Sequence, residues 1–90
     1  MEKTYLISYD LKTEQESNYE NIFKYIKNYG TWAHITESLW AIKTEKTSVE
    51  IRDEMLKEMP EGSSLFIVKS GGIAAWSNVL CRNVWLKNNL

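Results

Sequence analysis

Two short helix signatures divide this chain, and the strand-like runs between them leave few ways to fold it. Ser17-Asn-Tyr-Glu20 and Thr47-Ser-Val-Glu50 both fit a capping box, in which a hydroxyl caps free amides and a glutamate reaches back to the cap. After the first, Tyr19, Ile22, Phe23, Ile26 and Tyr29 recur at helical spacing. Gly30 then supplies the stop, because glycine tolerates the left-handed conformation found there. After the second, Ile51, Met55 and Met59 form the apolar stripe, Pro60 ends the helix and Glu61-Gly62 makes a turn.

Strand signals occupy the spaces these helices leave. Thr4–Tyr9 is apolar and aromatic and stops on Asp10; Thr31–Thr36 and Leu39–Lys43 read as a hairpin broken at Glu37-Ser38. Ser64–Lys69 is nearly continuous in apolar residues, the pattern of a central strand covered on both faces. The order is strand, helix, strand, strand, helix, strand. It predicts an α+β, ferredoxin-like βαββαβ arrangement: a four-stranded antiparallel sheet with two helices on one face. With 90 residues the chain is expected to form one domain, 1–69 making the core and 70–90 a C-terminal extension.

Two helices cover only one face of such a sheet, yet both faces are apolar. Tyr5, Ile7 and Tyr9 alternate with Leu6, and Phe66 and Val68 alternate with Leu65 and Ile67. Leaving a Phe or Leu side chain in water forgoes about 1.5–3 kcal/mol each. The C-terminal extension is therefore expected to fold over the open face or to pair with a second subunit. A homodimer joined through sheet faces or edges is the preferred expectation, in keeping with four Trp and five Tyr in so short a chain.

Charge is informative in its distribution. The formal net charge is −1, which argues against a protein that coats DNA through many phosphate contacts. Residues 62–90, however, contain no Asp or Glu, only Lys69, Arg82 and Lys87, and are expected to face an anion or an acidic partner. Within that third, Ser70-Gly71-Gly72 is a turn where main-chain amides can approach a ligand closely. Trp76 and Trp85 add rings able to stack on a base while Arg82, Lys69 or Lys87 holds a phosphate. The bland alternative is a tail that covers the sheet, with Trp85–Leu90 as a short docking helix.

Familiar catalytic signatures are absent: no phosphate-binding glycine loop, dinucleotide fingerprint, zinc-type Cys pair or nucleophile elbow. His34, the only histidine, sits mid-strand and reads as a structural or interface residue. Cys81 stands alone, which excludes an intramolecular disulfide and favours an intracellular setting. No basic N-terminal region leads into a long apolar run, so a cytoplasmic protein without a membrane segment is expected. Asp10 ends its strand at the rim of the sheet, where a carboxylate suits a metal site and an ordinary turn equally well.

These residues resemble a family. Tyr9-Asp10 closing the first strand, Tyr29-Gly30 before a hairpin, and Ser38-Leu-Trp-Ala-Ile42 as its second strand are similar to the CRISPR-associated protein 2 group. The similarity is closer to short SinR-like bacterial and phage proteins. It rests on Tyr5-Leu-Ile-Ser-Tyr-Asp10, Gly30-Thr-Trp32, Ser38-Leu-Trp40, Ala74-Ala-Trp76 and Trp85-Leu-Lys-Asn-Asn-Leu90. The resemblance implies a ferredoxin-like homodimer associated with nucleic acid. It also implies that Asp10, with its copy across the dimer, holds one divalent cation such as Mg²⁺, which takes one or two carboxylates, waters and a phosphate oxygen. Such an ion would polarise a phosphoryl group and activate water for nuclease chemistry. The stretch after Asp10, Leu11-Lys-Thr-Glu-Gln-Glu16, lacks the basic pair often found there in the CRISPR proteins, so weak or no catalysis is expected. Two other classes fit the residues: a non-enzymatic dimer that binds or sequesters a nucleotide-like signal, and a protein-interaction subunit such as an antitoxin or adaptor.

Overall fold

A computed structural model describes residues 1–12 and 16–90, and the side chains of all of these except Glu16 and Ser17. The elements run β1 (Lys3–Asp10), α1 (Glu16–Lys27), β2 (Thr31–Thr36), β3 (Leu39–Thr44), α2 (Ser48–Leu56), β4 (Ser64–Lys69) and α3 (Asn83–Asn89). The four strands form one antiparallel sheet in the order β2-β3-β1-β4. This is the ferredoxin-like βαββαβ fold with a C-terminal helix added.

Helix α1 forms because its apolar stripe has a sheet face to pack on. Ile22 and Ile26 are fully buried, with Tyr19, Phe23, Tyr25 and Tyr29 packed around them. The helix tightens at its end, where Asn28 and Tyr29 donate to the carbonyls of Tyr25 and Ile26. Gly30 follows with φ +109°, and a Cβ there would also lie 3.2 Å from the Lys43 carbonyl oxygen. The capping box expected at Ser17 rests on a side chain outside the described residues. The one at Thr47 is complete: the Thr47 hydroxyl accepts from the Glu50 amide, and the Glu50 carboxylate accepts from the Thr47 amide. Helix α2 stops at Leu56, earlier than Pro60, because Glu58 and Met59 donate to carbonyls three residues back instead of continuing the helix.

The first core lies between the helices and one sheet face. Tyr5, Ile7 and Tyr9 of β1 and Trp40 and Ile42 of β3 meet Ile22, Ile26, Ile51 and Met55. The Trp40 indole donates to the Tyr9 hydroxyl at 3.2 Å, satisfying the one polar atom that this ring buries. Burial pushes the Tyr9 phenol up despite that bond.

The second core is on the other face. Ala33, Ile35 and Ala41 receive Leu86 of α3, with Trp76, Trp85 and Leu90 around it. The two alanines matter because their small side chains let the helix approach β2 and β3. Polar ties fix it: the Thr4 hydroxyl donates to the Asn89 carbonyl (2.6 Å), and Lys43 donates to the Asn89 side chain (3.4 Å). The C-terminal extension thus covers the sheet, as one of the two sequence expectations held.

It covers only the β2–β3 half. On β4, Phe66 is 64 % and Val68 41 % exposed. The expectation that Ser64–Lys69 is central and doubly covered is therefore wrong: β4 is an edge strand, and β1 is a central one. The continuous apolar run reflects packing of Leu65 and Ile67 against the helical layer on one side and bare surface on the other.

Candidate binding cleft at the β2 edge

The C-terminal segment ties itself to β2 at two points and stands away from it between them. The Leu80 amide donates to the Ile35 carbonyl (2.9 Å), and the Trp85 indole donates to the Thr31 hydroxyl (2.9 Å). The Ile35 carbonyl is available because the β2–β3 register shifts between His34 and Thr36, a bulge that turns the extra residue's carbonyl outward. Between the ties lies an open cleft of about 420 Å³. Strand β2 supplies Trp32, Ala33 and His34 to its walls, and the C-terminal segment supplies Leu80, Cys81, Arg82 and Trp85.

The floor is rigid. His34 stacks on Trp40 with ring centroids 4.0 Å apart and planes 9° from parallel, and Trp32 packs on Trp40 at 5.4 Å. His34 Nε2 lies 3.0 Å from the Glu37 carbonyl; a carbonyl only accepts, so Nε2 carries the proton. The structural role expected for His34 is visible in this stack, which lies on the helical face of the sheet beside Phe23. Trp32 remains 37 % exposed, with the Lys27 ammonium 4.9 Å from the centre of its ring. Arg82 is exposed at the cleft mouth. Among the described residues no carboxylate lines the cleft, so its charge is positive. Burial raises the Cys81 thiol, which keeps it protonated and makes it wall material, not a nucleophile.

The other residues singled out in the sequence fall elsewhere. Lys69 ends β4 opposite Tyr5, across the sheet from β2; three interstrand spacings separate those edges by about 14 Å. Gly71 and Gly72 follow it with no atom within 4 Å of either would-be Cβ, so they cradle nothing in this chain. Gly72 has φ +84° and a long contact from its amide to the Ser70 hydroxyl, a turn geometry. Trp76 belongs to the second core, where its indole donates to the Asn83 side chain at 3.1 Å. Arg82 and Trp85 are thus brought together, and Lys69, Gly71, Gly72 and Trp76 are not part of their cleft.

Asp10 is exposed at the end of β1, opposite Ser64. By strand alternation it lies on the same face as Leu6 and Phe66, at the uncovered half. Among the described residues, no three His, Cys, Asp or Glu side chains come together as a ready metal-binding group. No helix among them is long and apolar enough to cross a membrane.

Trp32, His34 and Lys27 were not singled out as ligand residues by sequence. Only the pairing order reveals that the strand carrying Trp32 is an edge. Compared with known family models, with curated proteins and with solved structures, the chain matches none.

Proposed function

We propose that this protein is a non-catalytic module that binds nucleic acid or its nucleotide units, acting as a homodimer in the cytoplasm. The observation that carries the reading is the convergence of Trp32, Trp85 and Arg82 in one carboxylate-free cleft beside Lys27. Aromatic faces hold bases by stacking and cations hold phosphates, and the combination binds single strands with little sequence preference. The resemblance to the CRISPR-associated protein 2 group supports association with nucleic acid in a dimeric setting. The half-buried lone thiol of Cys81 fits a reducing compartment.

The homodimer is supported by the uncovered half of the sheet face, where Phe66 and Val68 stand in water beside an open strand edge. Asp10 lies on that same half. A second copy there would put two such carboxylates on one surface, the number a Mg²⁺ ion accepts. Metal-dependent cleavage at Asp10 is accordingly the second reading. Loss of Mg²⁺-dependent cleavage in Asp10→Asn would support it, and binding without cleavage would favour the first.

Binding is tested by fluorescence anisotropy with a short labelled single strand at low salt. The expected result is saturable binding that weakens as salt rises and falls at least tenfold in Arg82→Gln. No binding to strand or mononucleotide at low salt would overturn the reading.

A further inference from the structure

The main chain of β2 carries information that the side chains of the cleft do not. The hydrogen-bond phase of the sheet follows from two bonds at its ends. The Tyr9 amide donates to the Ser38 carbonyl (3.3 Å), and the Ser70 amide donates to the Thr4 carbonyl (2.8 Å). Tyr5, Ile7 and Tyr9 therefore direct their N–H and C=O groups toward β3, and the even residues of β1 direct theirs toward β4. Strand β3 alternates in turn: Ile42 and Trp40 point to β1, so Ala41 and Lys43 point to β2, where they meet Ala33 and Thr31. By the same alternation Trp32 and His34 turn their N–H and C=O groups outward, into the cleft. Among the described residues neither main-chain unit has a hydrogen-bond partner there.

The open stretch is short. It is bounded by the Thr31–Trp85 and Ile35–Leu80 ties, so it offers about 6.6 Å of strand between Trp32 and His34. A peptide adding a strand needs a longer free edge than this. One planar ring fits it.

Resting on the nucleotide-binding reading above, we propose that this cleft reads the hydrogen-bonding edge of one unpaired nucleobase. The main-chain N–H and C=O groups of Trp32 and His34 pair with that edge, an indole of the cleft takes the ring face, and Arg82 takes the adjoining phosphate. Every base carries both a donor and an acceptor on its Watson–Crick edge, so the contact is tolerant of sequence. In a duplex that edge is occupied, so the cleft selects single strands or free nucleotides.

The test compares equilibrium binding of four ligands: a short oligothymidylate, the same oligomer methylated at N3 of each base, a blunt duplex of equal length, and thymidine monophosphate. N3-methylation blocks the pairing edge and leaves ring and phosphates in place. Binding of the plain oligomer at least tenfold tighter than both the methylated oligomer and the duplex is the expected result, and Trp32→Ala, which keeps the main chain, should retain that preference. Thymidine monophosphate binding as tightly as the oligomer identifies a free nucleotide as ligand; weaker binding identifies a strand. Either agrees with the proposal. Equal binding of plain and methylated oligomers would overturn base-edge reading while leaving nucleic-acid binding intact. Failure of all four to bind would overturn the underlying reading itself.

Discussion

The two edge strands of this sheet are finished in opposite ways. Strand β2 has the chain's own C-terminal segment fastened over it, through Leu80 and Trp85, and keeps a small positive cleft in between. Strand β4 has no such cover and shows Phe66 and Val68 to water, with no charged residue before Lys69. The cause is local. Ala33 and Ala41 on the β2 half leave room for Leu86 to dock, whereas the bulkier Phe66 and Val68 occupy the β4 half. The edge covered by its own chain carries the cleft proposed above as a ligand site. The other edge, apolar up to Lys69 and without proline, carries the surface proposed above for a second copy.

The largest effect is expected where both edges depend on the same support. Trp40 is 1 % exposed, bonds Tyr9 and carries the stack of His34 and Trp32. Trp40→Ala should cost about 3–5 kcal/mol in chemical denaturation, because it removes a fully buried aromatic ring and leaves a cavity. A loss under 1 kcal/mol would show that this packing is not central.

Leu86→Ala separates the edges. It should cost about 2–4 kcal/mol, and hydrogen exchange should show its loss of protection concentrated on residues 80–90. The cleft should then fail to bind while β4 amides keep their protection. Equal loosening of β4 would contradict the idea that the two edges are independently finished.

Replacing Phe66 by Ser and Val68 by Thr together should leave monomer stability within about 1 kcal/mol, since Phe66 is mostly exposed and Val68 partly so. In sedimentation the same change should abolish the dimer proposed above. An unaltered dimer would move the interface elsewhere.

The smallest effect is a control away from both edges. Glu54 is held below the usual carboxylate range by the Lys46 ammonium and then by the Tyr29 hydroxyl, which donates to it at 2.8 Å. A lowered folded value means that the unfolded chain takes up the proton first. The contribution is present above the unfolded value of about 4.3 and is lost as pH falls through the folded one. Tyr29 shifts upward, through burial and then the Glu54 bond, so its contribution is present below about pH 10 and is lost at higher pH. Glu54→Gln should flatten the acid fall in Tm without altering ligand binding. An unchanged acid limb would remove Glu54 from it.

Much of the fold is legible in the sequence because its signals are local. The Thr47 capping box, the Gly30 stop and the Ile22–Ile26 spacing each depend on residues within a turn or two of one another. Whether a strand lies at the centre or the edge depends on pairing between distant segments. For that reason Ser64–Lys69 reads as central and folds as an edge. The candidate site divides the same way. Arg82 and Trp85 are visible as a cation and a ring in an acid-free stretch, while their partner Trp32 lies far off in sequence and becomes a cleft residue only through the Trp85–Thr31 tie. Lys69 and the Gly71-Gly72 turn carry suitable chemistry, but the sheet sets them at the opposite edge.

The indole N–H resonances of the four tryptophans give the most direct test of the cleft. In a titration with a short single strand, those of Trp32 and Trp85 should shift progressively and saturate together. Trp76, bonded to Asn83 in the second core, and the amides of Phe66 and Val68 should stay in place. Shifts centred on Trp76 or on β4, with Trp32 and Trp85 unmoved, would contradict a binding site at the β2 edge.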